Sequence, residues 1–218
     1  MSISSRLMGD RIAAVYQAHL PRYSRGRLLD LGCGRVPLYG LYRHAVDDVI
    51  CADWPQSVHG AQFLDVYCDL SKPLPFATAS FDVVVLSDVL EHIPSPEALL
   101  LEIARLLRPA GVVVLNVPFL YWIHEAPHDY YRYTEFALSR FIKQAGLDTV
   151  RLEAIGGLPE VLSDLLAKCF IRLPLVGAAV ASALQAMIGF LIYRGIIHRE
   201  ANYTSYFPLG YFVVAIKR

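Results

Sequence analysis

The stretch Arg27-Leu28-Leu29-Asp30-Leu31-Gly32-Cys33-Gly34 reads as a short buried strand running into a glycine turn. Glycines at 32 and 34 let the backbone turn tightly and approach a ligand closely at the carboxyl end of a parallel strand. A dinucleotide fingerprint needs another glycine at position 37, where this chain has Pro37, so a pyrophosphate ligand is the weaker reading. An acid just before the glycines, Asp30, suits a ligand with positive charge nearby.

Outward from this turn, short β-branched runs alternate with helix-like stretches, the pattern of a parallel sheet covered by helices on both faces. Strands are expected at 27–31, 48–52, 63–68, 81–86, 111–117, 149–155 and 211–216. Val83-Val84-Val85-Leu86 and Val112-Val113-Val114-Leu115 are apolar throughout, as strands buried on both faces are. Ser95-Pro96-Glu97 reads as N-cap, first-turn proline and first-turn acid of a helix that Pro109-Ala110-Gly111 ends. A second helix is expected from an N-cap at Thr134 to a terminal glycine at Gly146.

The 20 Lys+Arg offset the 20 Asp+Glu in a chain of 218 residues, so no global field points to nucleic acid. With 55% of residues hydrophobic and 18% charged, the composition excludes disorder and fits one domain spanning 1–218. Four cysteines without CxxC spacing are expected to be buried free thiols in a reducing compartment. The N-terminal residues lack a long apolar run, so a cytoplasmic protein is expected.

Residues 173–193 contain no charge and are bracketed by Lys168 and Arg172 before and Arg194 and Arg199 after. The strands expected at 149–155 and 211–216 share one sheet, so a single membrane crossing is a poor fit. An apolar helical insert at 157–205 is expected instead. It is read as a membrane-surface contact through 173–193, a lid over an apolar substrate, or a homodimer face.

The chain around the opening motif resembles the class I S-adenosylmethionine-dependent methyltransferases of the type 11 kind. The resemblance rests on Asp30-Leu-Gly32-Cys33-Gly34, Asp53 ending the second strand, and Asp69-Leu70 after the third. It continues through Ser80-Phe81-Asp82-Val83-Val84, Ser87-Asp88-Val89-Leu90-Glu91-His92 and Leu106-Leu107-Arg108-Pro109-Ala110-Gly111. It implies a Rossmann-like seven-stranded α/β fold with S-adenosylmethionine as cofactor. Asp30, Gly32, Cys33 and Gly34 would cradle the cofactor. Asp53 and Trp54 would meet the ribose side, Asp69 and Leu70 the adenine, and Ser87 and Asp88 the methionine. Asp82 is expected to be structural. Val36 stands where many members carry a third glycine, which puts the shape of that loop in question.

After the fifth expected strand, His124-Glu125-x-x-His128 matches a zinc-protease spacing. That site needs both histidines one turn apart on a helix, and Pro127 precedes the second, so no metal site is expected there. The segment 118–134 instead resembles a loop of a methyltransferase subgroup with a His…Pro-x-Asp-Tyr-x-Arg-Tyr-Thr stretch. Methyl transfer to oxygen gains from a base near neutral pH, so His128 oriented by Asp129 is expected to be catalytic, with His124 the competing imidazole. Tyr130, Tyr131 and Tyr133 would wall a sugar or isoprenoid, and Arg132 would hold a phosphate or carboxylate. The expected activity is O-methylation of a small or lipid-linked acceptor (glycan, glycolipid or quinone-like), at the cytoplasmic side of a membrane. The contrasting expectation is a catalytically degenerate fold serving as a membrane-associated scaffold.

Overall fold

The computed structural model describes residues 3–54, 62–197 and 206–218; residues 198–205 of the expected insert, Arg199 among them, lie outside these. The chain forms two compact units. One comprises 16–118, 122–153 and 211–218, and the other 1–15, 119–121 and 154–210.

Seven strands form one sheet: β1 (Arg27–Leu31), β2 (Asp48–Asp53), β3 (Val66–Tyr67), β4 (Phe81–Ser87), β5 (Leu107–Pro118), β6 (Leu147–Ile155) and β7 (Gly210–Lys217). Their order is β3-β2-β1-β4-β5-β7-β6. The pairs β1–β2, β1–β4, β2–β3 and β4–β5 are parallel. Leu28, Leu29 and Leu31 of β1 and Val83 to Leu86 of β4 have no exposed surface. Removing such side chains from water is the main stabilising term of the sheet, about 1.5–3 kcal/mol for each Leu or Val. Chain order reverses between β1 and β4, which opens a crevice outside their carboxyl ends.

Two strands differ from expectation by more than two residues at an end. β3 is only Val66–Tyr67 rather than 63–68. β5 begins at Leu107 rather than 111, because Ala110 takes a left-handed φ of 62° where the pairing register with β4 shifts. Asp82 accepts hydrogen bonds from the Arg27 N–H (2.8 Å) and Arg108 Nη1 (2.6 Å) at the strand entrance, a structural role as expected.

The helices are α1 (Arg6–Tyr23), α2 (Tyr39–Tyr42), α3 (Pro96–Leu106), α4 (Glu135–Gln144), α5 (Leu158–Phe170) and α6 (Gly177–Tyr193). Leu99, Leu100, Ile103 and Leu106 form the buried stripe of α3. Ser95 occupies the N-cap position of α3, although its side chain makes no capping bond. Thr134 caps α4 by accepting from the Ala137 N–H at 3.3 Å, and Gly146 follows the helix with φ 75°.

In the unit containing 154–210, α5 and α6 form a helical hairpin. Glu160, Asp164 and Lys168 of α5 are all buried. Glu160 faces Arg11 at 3.2 Å, Lys168 pairs with Asp164, and the Lys168 ammonium lies 3.8 Å from the centre of the Tyr121 ring. Buried charges persist where they are paired in this way. Gln185, mid-helix in α6, accepts from the Leu7 N–H at 2.7 Å. No helix among the described residues is long and apolar enough to cross a membrane. Cys33, Cys51 and Cys68 are buried free thiols, whereas Cys169 is exposed because it falls on the outer side of α5.

Candidate functional site

The opening motif turns at the carboxyl end of β1, between the ends of its neighbours β2 and β4. Asp30 is buried and accepts a hydrogen bond from the Tyr42 hydroxyl at 2.7 Å. Burial pushes its carboxyl up to about 7, against the pull of that hydrogen bond. Gly32 has φ 66°, and a Cβ there would lie 2.5 Å from Val89 Cγ2, so only glycine fits. Gly34, with φ 51°, donates its N–H to Asp53 Oδ2 at 3.0 Å, and Asp53 Oδ1 accepts from the Trp54 N–H at 2.7 Å. Two backbone donors thus fix the Asp53 carboxylate at the end of β2. Cys33 lies between the two glycines, its thiol held neutral by its hydrogen bond with Cys51 and by burial. At the position of the missing third glycine, Val36 itself takes a left-handed φ of 47°. The turn has glycine-like geometry with a β-branched residue in it, a strained arrangement.

Asp69 closes the turn after β3. Its Oδ1 accepts from the N–H (3.0 Å) and hydroxyl (2.6 Å) of Ser71, and its Oδ2 meets Lys72 at 3.1 Å. These bonds hold its carboxyl below the usual range. The side chain is engaged within its own turn, and the neighbouring Leu70 is buried.

At the end of β4, the Ser87 hydroxyl and the Tyr16 hydroxyl both donate to Asn116 Oδ1 at 2.8 Å. Asn116 Nδ2 in turn donates to Asp88 Oδ1 at 2.6 Å. Asp88 has φ 50°, and burial together with the nearby Glu91 carboxyl pushes its own carboxyl up to about 8. Sequence reasoning missed Asn116 and Tyr16. Asn116 carried a signal, being a polar residue inside the apolar run of β5, whereas Tyr16 carried none.

The loop between β5 and α4 contains no helix, so the zinc-protease spacing of His124 and His128 has no helical frame. Asp129 is not the orienting partner of His128. It binds Arg132 through both oxygens (2.6 and 2.7 Å), accepts from the His124 N–H at 2.8 Å, and faces His124 Nδ1 at 3.3 Å. Arg132, with the His124 backbone, holds the Asp129 carboxyl down at about 2. Arg132 also donates to the carbonyls of Tyr131 (2.7 Å) and Trp122 (2.8 Å), so it ties the loop together instead of facing outward for an anion. His128 instead has Nδ1 3.2 Å from the Tyr130 hydroxyl and its ring edge-on to Trp54, centroids 5.2 Å apart. Of the expected aromatic wall, Tyr133 is buried with its hydroxyl on the Leu90 carbonyl (2.9 Å), while Tyr130 and Tyr131 are exposed.

Beneath this loop lies Glu91, with no exposed surface. Among the described residues neither of its carboxylate oxygens has a hydrogen-bond partner. The Nε2 atoms of His92 and His124 each stand 3.7 Å from its Oε1. Burial pushes the Glu91 carboxyl up to about 7, with the nearby His92 pulling the other way.

Residues 29–115 match the family model described as a methyltransferase domain. The chain is 29% identical over 150 residues to a ubiquinone biosynthesis O-methyltransferase of Cereibacter sphaeroides, an alignment covering 57% of this chain and 61% of that one. It therefore spans about three-fifths of that relative's length. In fold it is similar to an S-adenosylmethionine-dependent methyltransferase from Archaeoglobus fulgidus, with TM-score 0.64, 19% identity, and coverage of 95% of this chain and 94% of that one. It is also similar to a Haemonchus contortus phosphoethanolamine N-methyltransferase solved with S-adenosyl-L-methionine, with TM-score 0.58, 17% identity, and coverage of 96% and 52%. The cradle fits that cofactor. Gly32 leaves no room for a side chain, Asp53 is fixed beside Gly34, and Asp30 and Asp88 put carboxyl groups at the ends of β1 and β4. With these residues in place, the degenerate-scaffold reading has no support.

Proposed function

We propose, for a chain whose fold and residues 29–115 are those of the class I S-adenosylmethionine-dependent methyltransferases, that it transfers a methyl group to an oxygen of a small acceptor. The observation that carries this reading is the contact of His128 with Trp54, the residue after Asp53. It brings an exposed imidazole of the acceptor-side loop to the cofactor end of β2. Bound in the cradle, S-adenosylmethionine supplies an electrophilic methyl group on a sulfonium. Asp53 would hold the ribose hydroxyls, Asp30 and Asp88 would meet the positively charged methionine end with Ser87, and Asp69 and Leu70 would meet the adenine. His128 takes the acceptor's hydroxyl proton as the C–S bond breaks and the C–O bond forms. Imidazole suits that role near neutral pH. Alignment of the acceptor with the methyl group supplies much of the rate.

The acceptor we favour is a quinone-like phenol on a lipid tail. The Cereibacter relative bears the name of an O-methyltransferase of ubiquinone biosynthesis. The hairpin also exposes Leu175, Val176, Met187, Phe190 and Tyr193. From 165 to 197 there is no acid, and Arg172 and Arg194 bracket the apolar helix, a pattern that suits the surface of an anionic membrane.

His128→Ala is expected to lower kcat on the order of a hundredfold, with affinity for S-adenosylhomocysteine retained. Wild-type turnover in that variant would remove His128 from the reaction.

A further inference from the structure

The proposed reaction leaves Glu91, His92 and His124 without a task, and their arrangement is the least self-consistent in the molecule. An unpartnered buried carboxylate is strongly unfavourable unless something positive meets it. Neither imidazole meets it with a hydrogen bond, since both Nε2 atoms stand 3.7 Å from Oε1, beyond hydrogen-bond reach.

The other ring nitrogens are already engaged. His92 Nδ1 stands 2.8 Å from the His128 carbonyl oxygen, which can only accept, so Nδ1 carries the proton. His124 Nδ1 lies 3.3 Å from Asp129 Oδ2, an acceptor, and 3.5 Å from Arg132 Nη2, a donor, so these two contacts do not fix its tautomer. With Nδ1 protonated, the His92 Nε2 lone pair points towards the lone pairs of the Glu91 carboxylate, an arrangement that repels until a proton or a metal ion stands between them.

We infer that Glu91, His92 and His124 form a binding site for one divalent transition-metal ion, of the Zn²⁺, Co²⁺, Mn²⁺ or Fe²⁺ class. The three ligand atoms lie within 4.8 Å of one another. Metal–nitrogen and metal–oxygen bonds of about 2.0–2.2 Å put neighbouring ligand atoms of a tetrahedral ion roughly 3.4 Å apart. Closing the two nitrogen–oxygen separations of 3.7 Å to that spacing takes a few tenths of an ångström, and the two imidazoles, within 4.8 Å of each other, close onto the ion by ring rotation. Two imidazoles and one carboxylate select against Mg²⁺ and Ca²⁺, and they leave coordination positions open. The carbonyl on His92 Nδ1 is the outer partner that fixes the tautomer of a metal-binding histidine, and the Asp129 carboxylate beside His124 Nδ1 is placed to do the same once an ion binds. This site differs from the zinc-protease spacing of the sequence. It uses His124 without His128 and takes its other two ligands from the segment after β4.

The assignment is independent of the methyl-transfer reading, and its test needs neither cofactor nor acceptor. Chelator-treated full-length protein is titrated with Co²⁺ and the visible absorption followed, then Zn²⁺ is added as competitor. The expected result is one Co²⁺ per chain, with absorption bands of a nitrogen–oxygen site that Zn²⁺ abolishes. Glu91→Gln and His124→Ala should each weaken the binding at least tenfold. Glu91→Gln without metal should melt no lower than the wild type, since it removes the buried charge and keeps the shape, and that melt shows the variant is folded. Absence of saturable Co²⁺ binding in the wild type, or binding unchanged in both variants, would overturn the site.

Discussion

At Asp30 the buried carboxyl and its single hydrogen bond from Tyr42 set a pH dependence. Its carboxyl stands at about 7 in the folded chain, against roughly 3.9 for an exposed aspartate. The folded state therefore binds this proton more tightly than the unfolded state. Stability from the group is complete below about pH 4 and lost as pH rises through about 7. Asp30→Asn stays neutral and keeps an acceptor for Tyr42. Its stability relative to the wild type should rise between pH 5 and pH 8, on the order of 1–3 kcal/mol, while its affinity for S-adenosylhomocysteine falls. Urea midpoints at the two pH values measure the first effect, and a difference that does not change with pH would contradict it. Asp30 was legible in the sequence because strand and glycines fix where an acid must sit. The pairing of Asp129 was not, since adjacency in sequence favoured His128 while the fold of the loop turned the carboxylate to Arg132 and His124.

Among the elements, the turn after β1 is the most constrained. Gly32→Ala would place a methyl group 2.5 Å from Val89 Cγ2 at a left-handed φ of 66°. Backbone and valine cannot both stay in place, so the variant should lose about 1–3 kcal/mol of stability and bind S-adenosylhomocysteine at least tenfold more weakly. A variant with unchanged melting temperature and affinity would show that the turn is not rigid. The uninterrupted apolar runs at 83–86 and 112–115 made β4 and β5 readable, because strands buried on both faces carry few polar residues. The early start of β5 was hidden by Pro109-Ala110-Gly111, which reads as a break and is a bulge with Ala110 at φ 62°. The nature of α5 was hidden too. Its charges look solvated in sequence, whereas Glu160 is answered by Arg11 from a distant part of the chain.

For the whole molecule, the sheet and cofactor cradle were legible because local sequence motifs carry them, while the acceptor side depends on contacts across a loop. The apolar stretch at 173–193 ends in helix α6, which leaves Phe190 56% exposed, and Leu175 in the turn before it is fully exposed. If it meets a membrane, the protein should float with vesicles containing phosphatidylglycerol, and less with neutral ones. Leu175→Ser with Phe190→Ser should weaken that binding by on the order of 2 kcal/mol. Equal flotation of the variant would assign the apolar face to another purpose.

The most direct test of the account supplies methyl-labelled S-adenosylmethionine to the purified protein with cell extract, then separates lipid from aqueous products. The Asp53→Ala variant serves as the blank. The expected result is label in the lipid fraction, released as an oxygen-bound methyl group and absent from the blank. Label confined to the aqueous fraction would contradict the lipid-linked acceptor, and no label above the blank in either fraction would contradict methyl transfer itself.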